Sequence, residues 1–121
     1  MKNRHSGRVL SRGRNQRRAL IKTLLGSLVM YERITTTEAK AKEIKTFIDQ
    51  VVNKAKVART DDKRTVAVIR DLRKYIPLMA VKKIVGEFGT RFDTRKSGYT
   101  RVVKLDARKS DSAKMAIIEF V

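Results

Sequence analysis

The chain has no cysteine and no tryptophan, and only one proline and one histidine among its 121 residues. Without thiols there is no disulfide framework and no thiolate metal site, which fits a cytoplasmic protein. The single His5 has no serine nucleophile or carboxylate near it in the sequence, and neither a His-Glu-x-x-His pattern nor a phosphate-cradling glycine loop is present. Acidic residues are also scarce, twelve against thirty Lys and Arg. They are scattered among the bases rather than converging as a metal-dependent nuclease would need. No uninterrupted apolar run approaches the roughly 20 residues of a membrane span. We therefore expect no catalysis, cofactor, metal, small-molecule substrate or membrane insertion.

What remains is charge and an aliphatic core. The net charge is +18 with 41% hydrophobic residues, a balance that supports one folded domain and calls for a polyanionic partner. Nucleic acid, an anionic membrane surface and an acidic protein all satisfy that demand. Residues 1–31 hold eight Lys and Arg and no acid, because the first carboxylate is Glu32. The opening MKNRHSGRVLSRGRNQRR is too poor in apolar residues for a transit-type amphipathic stripe, and Lys22 interrupts the apolar run that a secretory signal would need. Arginine outnumbers lysine in it, and the planar guanidinium matches phosphate oxygens bidentately. Residues 1–18 thus read as a basic arm, with Lys2, Asn3, Arg4, His5, Arg8, Arg12, Arg14, Arg17 and Arg18 as candidate nucleic-acid contacts. Residues 19–121 read as a single compact domain.

Within that domain the apolar spacing predicts helices and then strands. Leu20, Ile21, Leu24, Leu25, Leu28 and Val29 give a wide apolar face, as of a central helix, and Gly26 and Ser27 would admit a close neighbour. A short extended piece is expected at 32–35. Thr35 and Glu38 have capping-box spacing for a second helix, carried by Ile44, Phe47, Ile48, Val51, Val52 and Ala55. Asp61 and Asp62 suit the start of a third helix marked by Val66, Ile69 and Leu72. Pro77 suits the first turn of a fourth, with Leu78, Val81, Ile84, Val85 and Phe88 buried and Gly89 as its stop. YTRVVKL and KMAIIEFV read as strands of a hairpin around the basic loop DARKSDSA. The order α-β-α-α-α-β-β is an α+β, two-layer arrangement in which helices cover a small sheet.

A second basic focus surrounds that hairpin: Arg91, Arg95 and Lys96 before it, Arg101 and Lys104 on its first strand, Arg108 and Lys109 in its loop. Tyr99 fits either stacking on a base or covering the core at a strand end. Lys40, Lys42 and Lys45 fit either nucleic-acid contact or the solvated face of the second helix.

Three segments carry a family resemblance: GRVLSRGRNQRRAL (7–20), ITTTEAKAKEIK (34–45) and GYTRVVKLDARKSDSAKMAIIEFV (98–121). In this order they resemble the signature regions of bacterial large-subunit ribosomal protein seventeen, and the match runs over essentially the whole chain. The resemblance implies a compact α/β domain without catalytic activity. It also implies a place in the cytoplasmic large ribosomal subunit near the polypeptide exit tunnel, bound to large-subunit ribosomal RNA beside other ribosomal proteins. Recognition would then rest on shape and phosphate geometry. A nucleoid-type architectural DNA-binding protein is the alternative, and an acidic-protein-binding module a more distant one.

Overall fold

A computed structural model describes residue 10 and residues 12–121. The candidates Lys2, Asn3, Arg4, His5 and Arg8 lie outside the described residues. The elements are α1 (Arg14–Tyr31), β1 (Arg33–Thr37), α2 (Glu38–Thr60), α3 (Thr65–Leu72), α4 (Leu78–Val85), the single-turn α5 (Glu87–Thr90), β2 (Thr100–Lys104) and β3 (Met115–Phe120). The α+β class and the order of elements agree with the sequence reading, apart from the extra turn of α5.

The centre of the molecule is α2, which touches every other element. The 3.6-residue spacing of Ile44, Ile48, Val51, Val52, Ala55 and Ala58 buries one side of the helix completely or nearly so. Its neighbours supply Leu25, Leu28 and Val29 from α1, Val81 and Ile84 from α4, and Ile118 and Phe120 from β3. Burial of each large aliphatic side chain contributes about 1.5–3 kcal/mol. α1 was expected to be the central helix. Instead only Leu25, Gly26, Leu28 and Val29 of it are buried, and Leu20, Ile21 and Leu24 are half-exposed.

The three strands form an antiparallel sheet in the order β1-β3-β2. Register places Ile34 and Val102 on either side of Ile118, facing α2, and Arg33 and Arg101 on either side of Glu119, facing away. The alternation along β3 is strict, with Ala116, Ile118 and Phe120 buried between half-exposed neighbours.

Local signals fail where long-range contacts override them. The Thr35–Glu38 capping box does not form, because Thr35 is drawn into β1 opposite Ile117. The first amide of α2 is taken by the hairpin, Glu38 N–H donating to the Lys114 carbonyl at 2.9 Å. Asp61 and Asp62 precede α3 without starting it: the Asp61 amide closes α2 on the Val57 carbonyl, and its carboxylate accepts the Lys63 N–H. Gly86 rather than Gly89 ends α4. Leu78, expected in the buried stripe of α4, is exposed, as is Val66, which marks α3 in the sequence.

Gly26 does admit a neighbour. A Cβ there would lie 2.6 Å from Pro77 Cδ, so the residue sets how closely α1 approaches the start of α4. Gly26→Val should destabilise the protein by about 1–3 kcal/mol through overpacking, read as a lower urea midpoint. An unchanged midpoint would show that α1 and α4 can separate at no cost.

Candidate nucleic-acid interface

The basic segment from Gly86 to Tyr99 has little regular structure, so its backbone polar groups need partners from elsewhere. One polar edge of α2 provides them. Asp49 accepts the Gly98 and Tyr99 amides, both at 3.4 Å. Lys56 donates to the Arg95 carbonyl and to the Tyr99 hydroxyl at 2.7 Å, and that hydroxyl donates to Asn53 Oδ1 at 2.6 Å. Arg59 donates to the Ile84 carbonyl (2.9 Å) and the Gly89 carbonyl (3.0 Å) and pairs with Asp93. Gly89 is buried against this guanidinium, and a Cβ there would fall 2.2 Å from Arg59 Nη1 and 2.0 Å from the Ile84 oxygen.

This latch settles the two roles open to Tyr99. The residue is wholly buried, its ring edge-on to Phe92 at 5.6 Å, and Phe88, Phe92 and Phe120 complete the cluster. No face of Tyr99 is available to a base, so it anchors the core and leaves the set of contact residues. Arg91 is partly committed as well. Its guanidinium lies over Phe88 and Phe92 and donates to the Val121 carbonyl at 3.0 Å. Arg95 and Lys96 have exposed side chains at the turn that the latch holds.

On the outer face of the sheet, register brings two arginines to one acid. Arg101 Nε meets Glu119 Oε1 at 2.8 Å and Arg33 Nε meets Oε2 at 3.4 Å. The hydrogen bond from Arg101 holds the Glu119 carboxyl below its usual range. Both arginines engage through Nε and remain about 60% exposed, so their terminal NH2 groups are the donors turned toward solvent. A similar arrangement stands at the start of α2, where Lys42 (2.7 Å) and Lys104 (3.6 Å) share Glu38. The hydrogen bond from Lys42 lowers the pKa of that acid. Lys40, half-buried one turn into α2, and the exposed Lys114 lie near this end.

The hairpin loop is itself built around a pair. Arg108 forks onto Asp111, with Nε to Oδ1 at 2.9 Å and Nη2 to Oδ2 at 2.7 Å. Ser112, at φ 60°, turns the chain so that its amide donates to the Arg108 carbonyl. Arg108 therefore shapes the loop that displays Lys109. The Arg108 hydrogen bond, aided by the Ala113 amide, pulls the Asp111 carboxyl down to about 2.

The remaining basic candidates are on α1 and just before it. The helix begins at Arg14, so it runs through the expected arm boundary at residue 18. Arg14, Arg17 and Arg18 are thus carried on a helix, while Arg12 bonds only the nearby Leu10 carbonyl among the described residues. An 18-residue helix is about 27 Å long, so these arginines and the Arg33–Glu119–Arg101 row stand at opposite ends of α1. Sequence reasoning did not single out Arg33, Lys22 and Lys74, which are exposed basic residues, nor Asn53, Lys56 and Arg59 as the latch. The i, i+4, i+7 spacing of Asp49, Asn53 and Lys56 was the available signal. Among the described residues no group of three or more His, Cys, Asp or Glu could hold a metal ion, and no helix is long and apolar enough to cross a membrane.

Two outcomes test this geometry. Arg59→Met should cost about 2–3 kcal/mol, since it removes a charged donor from the Ile84 and Gly89 carbonyls and the partner of Asp93, and should broaden the NMR signals of residues 86–99. Asp111 should titrate near pH 2, below its ordinary 3.8. Because the folded value is depressed, its contribution is complete above the ordinary value and is lost as pH falls through the folded one. Amide exchange at Ser112 and Ala113 should therefore accelerate only in strong acid; acceleration already at pH 4 would contradict the fork.

Comparison with known proteins identifies the family of the chain. The family model described as Ribosomal protein L17 matches residues 20–121. A large ribosomal subunit protein bL17 from Thermodesulfovibrio yellowstonii is 43% identical, covering all of this chain and 87% of its own length. A bL17 from Chloroherpeton thalassium is 42% identical over 94% of this chain and 64% of its own. One from Staphylococcus carnosus is 39% identical over 94% of this chain and 98% of its own. With the family model covering most of the chain and relatives of this similarity spanning nearly all of it, the chain belongs to the ribosomal protein L17 family.

Proposed function

We propose that this protein is a structural component of the large ribosomal subunit that binds large-subunit ribosomal RNA by multivalent charge neutralisation. The observation that carries the proposal is the Arg33–Glu119–Arg101 row. A three-stranded sheet there presents two oriented guanidinium groups to solvent, on a chain of net charge +18. The hairpin loop with Lys109, the turn with Arg95 and Lys96, and the first turns of α1 extend the same surface chemistry. The names of the relatives support the large subunit as its home. A position near the polypeptide exit tunnel, with other ribosomal proteins as neighbours, belongs to the proposal and rests on the family resemblance alone.

The recognition mode follows from which groups are exposed. Guanidinium and ammonium groups read phosphate spacing rather than base identity, so shape selects the RNA site. A DNA-reading mechanism would commit a helix to the major groove. The longest helix, α2, is enclosed on its apolar side and latched along a polar edge, so it is not available for that. Residues 1–9 and 11 are proposed to add contacts through Lys2, Asn3, Arg4, His5 and Arg8.

Binding to a large-subunit RNA fragment should weaken steeply with salt, log K falling by about 0.7–0.9 per phosphate neutralised for each unit of log salt. Replacing Arg33 and Arg101 together by Gln should reduce that slope by about two contacts' worth while leaving the melting temperature nearly unchanged. Deleting residues 2–12 keeps the Gly13 carbonyl that accepts the Arg17 amide. The shortened protein should melt as before and bind RNA more weakly. Salt-insensitive binding, or equal preference for duplex DNA, would overturn the proposal.

A further inference from the structure

One cleft combines features that the charged surface does not explain. It lies between the first half of α1, the middle of α2 and the turn that precedes α4, and has a volume of about 310 Å³. That is the lower end of the range for small-ligand sites, roughly 300–1,000 Å³, and suits one nucleotide rather than a helix. Phe47 and Tyr75 line it, each half-buried. The Lys54 ammonium lies 4.5 Å over the Tyr75 ring and is itself held by Asp71, so this wall is fixed in advance. Arg18, Lys22 and Lys74 stand exposed around it.

The distinctive lining residue is Glu43, a carboxylate only 6% exposed in the most basic neighbourhood of α1. A groove for phosphate alone gains nothing from a buried anion, whose desolvation is costly. We propose that this cleft receives one unpaired guanine of the bound RNA. In that arrangement the base stacks on the aromatic wall, Glu43 accepts its N1–H and N2–H, and Arg18, Lys22 and Lys74 hold the flanking phosphates. Two adjacent donors on the Watson–Crick edge are found in guanine and not in adenine, cytosine or uracil. Glu43 and Arg17 each have a further contact in the chain, but a carboxylate has about four acceptor positions and so can serve a base as well. Stacking of splayed bases together with reading of their edges is how proteins recognise single-stranded RNA.

This inference rests on the RNA-binding reading, and its test separates the two. The full chain is titrated at fixed salt with short oligouridines carrying one central guanine, inosine, adenine or cytosine. Guanine should be preferred over adenine and cytosine by about tenfold, with inosine, which lacks the N2 amino group, in between. Glu43→Gln, checked for folding by circular dichroism, should abolish the preference while leaving the adenine oligomer bound as before. Equal binding of all four oligomers by the native chain, which requires no variant, overturns the guanine site and leaves the RNA-binding reading standing. A preference that survives Glu43→Gln also overturns it, as does failure to bind any of the oligomers, whereas the RNA-binding reading falls only if the large-subunit RNA fragment also fails to bind.

Discussion

The basic end of the molecule depends on one edge of α2. The stretch from Gly86 to Tyr99 contains only a single helical turn; the Gly89, Phe92, Asp93 and Arg95 amides bond within it, but the Gly98 and Tyr99 amides turn to Asp49, and chain entropy opposes its ordering. Asp49, Asn53, Lys56 and Arg59 offset that cost by hydrogen-bonding its backbone and its one buried hydroxyl. Behind this polar edge, Phe88, Phe92, Tyr99 and Phe120 close a small aromatic cluster. The same α2 residues therefore decide where Arg95 and Lys96 stand and where β2 begins. Without the latch the hairpin would still pair, but the turn before it would have no fixed place.

Charge is handled by a recurring device. Glu119 lies between Arg33 and Arg101, Glu38 between Lys42 and Lys104, and Glu32 between Lys83 and Arg91. Each trio keeps one net positive charge while fixing two cations. Exposed pairs of this kind contribute little to stability, about 0–1 kcal/mol each, so their consequence is orientation. An arginine held at Nε loses less freedom on meeting a phosphate than one that samples all its rotamers. These three acids thus fix six cations while cancelling only three of their charges.

Much of the fold was legible in the sequence because it rests on short-range periodicity. The apolar spacing of α2, the β-branched runs of the hairpin and the small Gly26 each report a local requirement. What was not legible depends on partners distant in sequence. The start of α2 is decided by a carbonyl at Lys114, 76 residues away by numbering. Gly89 looked like a helix stop but is small because Arg59 and the Ile84 carbonyl leave no room beside it. For the interface, composition identified the basic segments but could not sort display from support. Tyr99 and Arg91 belong largely to support, whereas Arg33 gained its place only when strand register set it opposite Glu119.

The shift of α1 to an earlier start also changes how the surface works. Arginines on a solvated arm must be ordered at the moment of binding, and that entropy is subtracted from affinity. Arg14, Arg17 and Arg18 are instead carried on a helix already packed against α2 and α4, so their spacing is set before any partner arrives. The sheet row at the other end of α1 is equally fixed. Under the proposed role, basic foci near opposite ends of an 18-residue helix are engaged together only by RNA whose phosphates match their separation; otherwise one focus binds alone and the gain from linking them is lost. On that proposal, selectivity for a folded RNA follows from the length of a helix and the register of three strands, with charge supplying the attraction at each end.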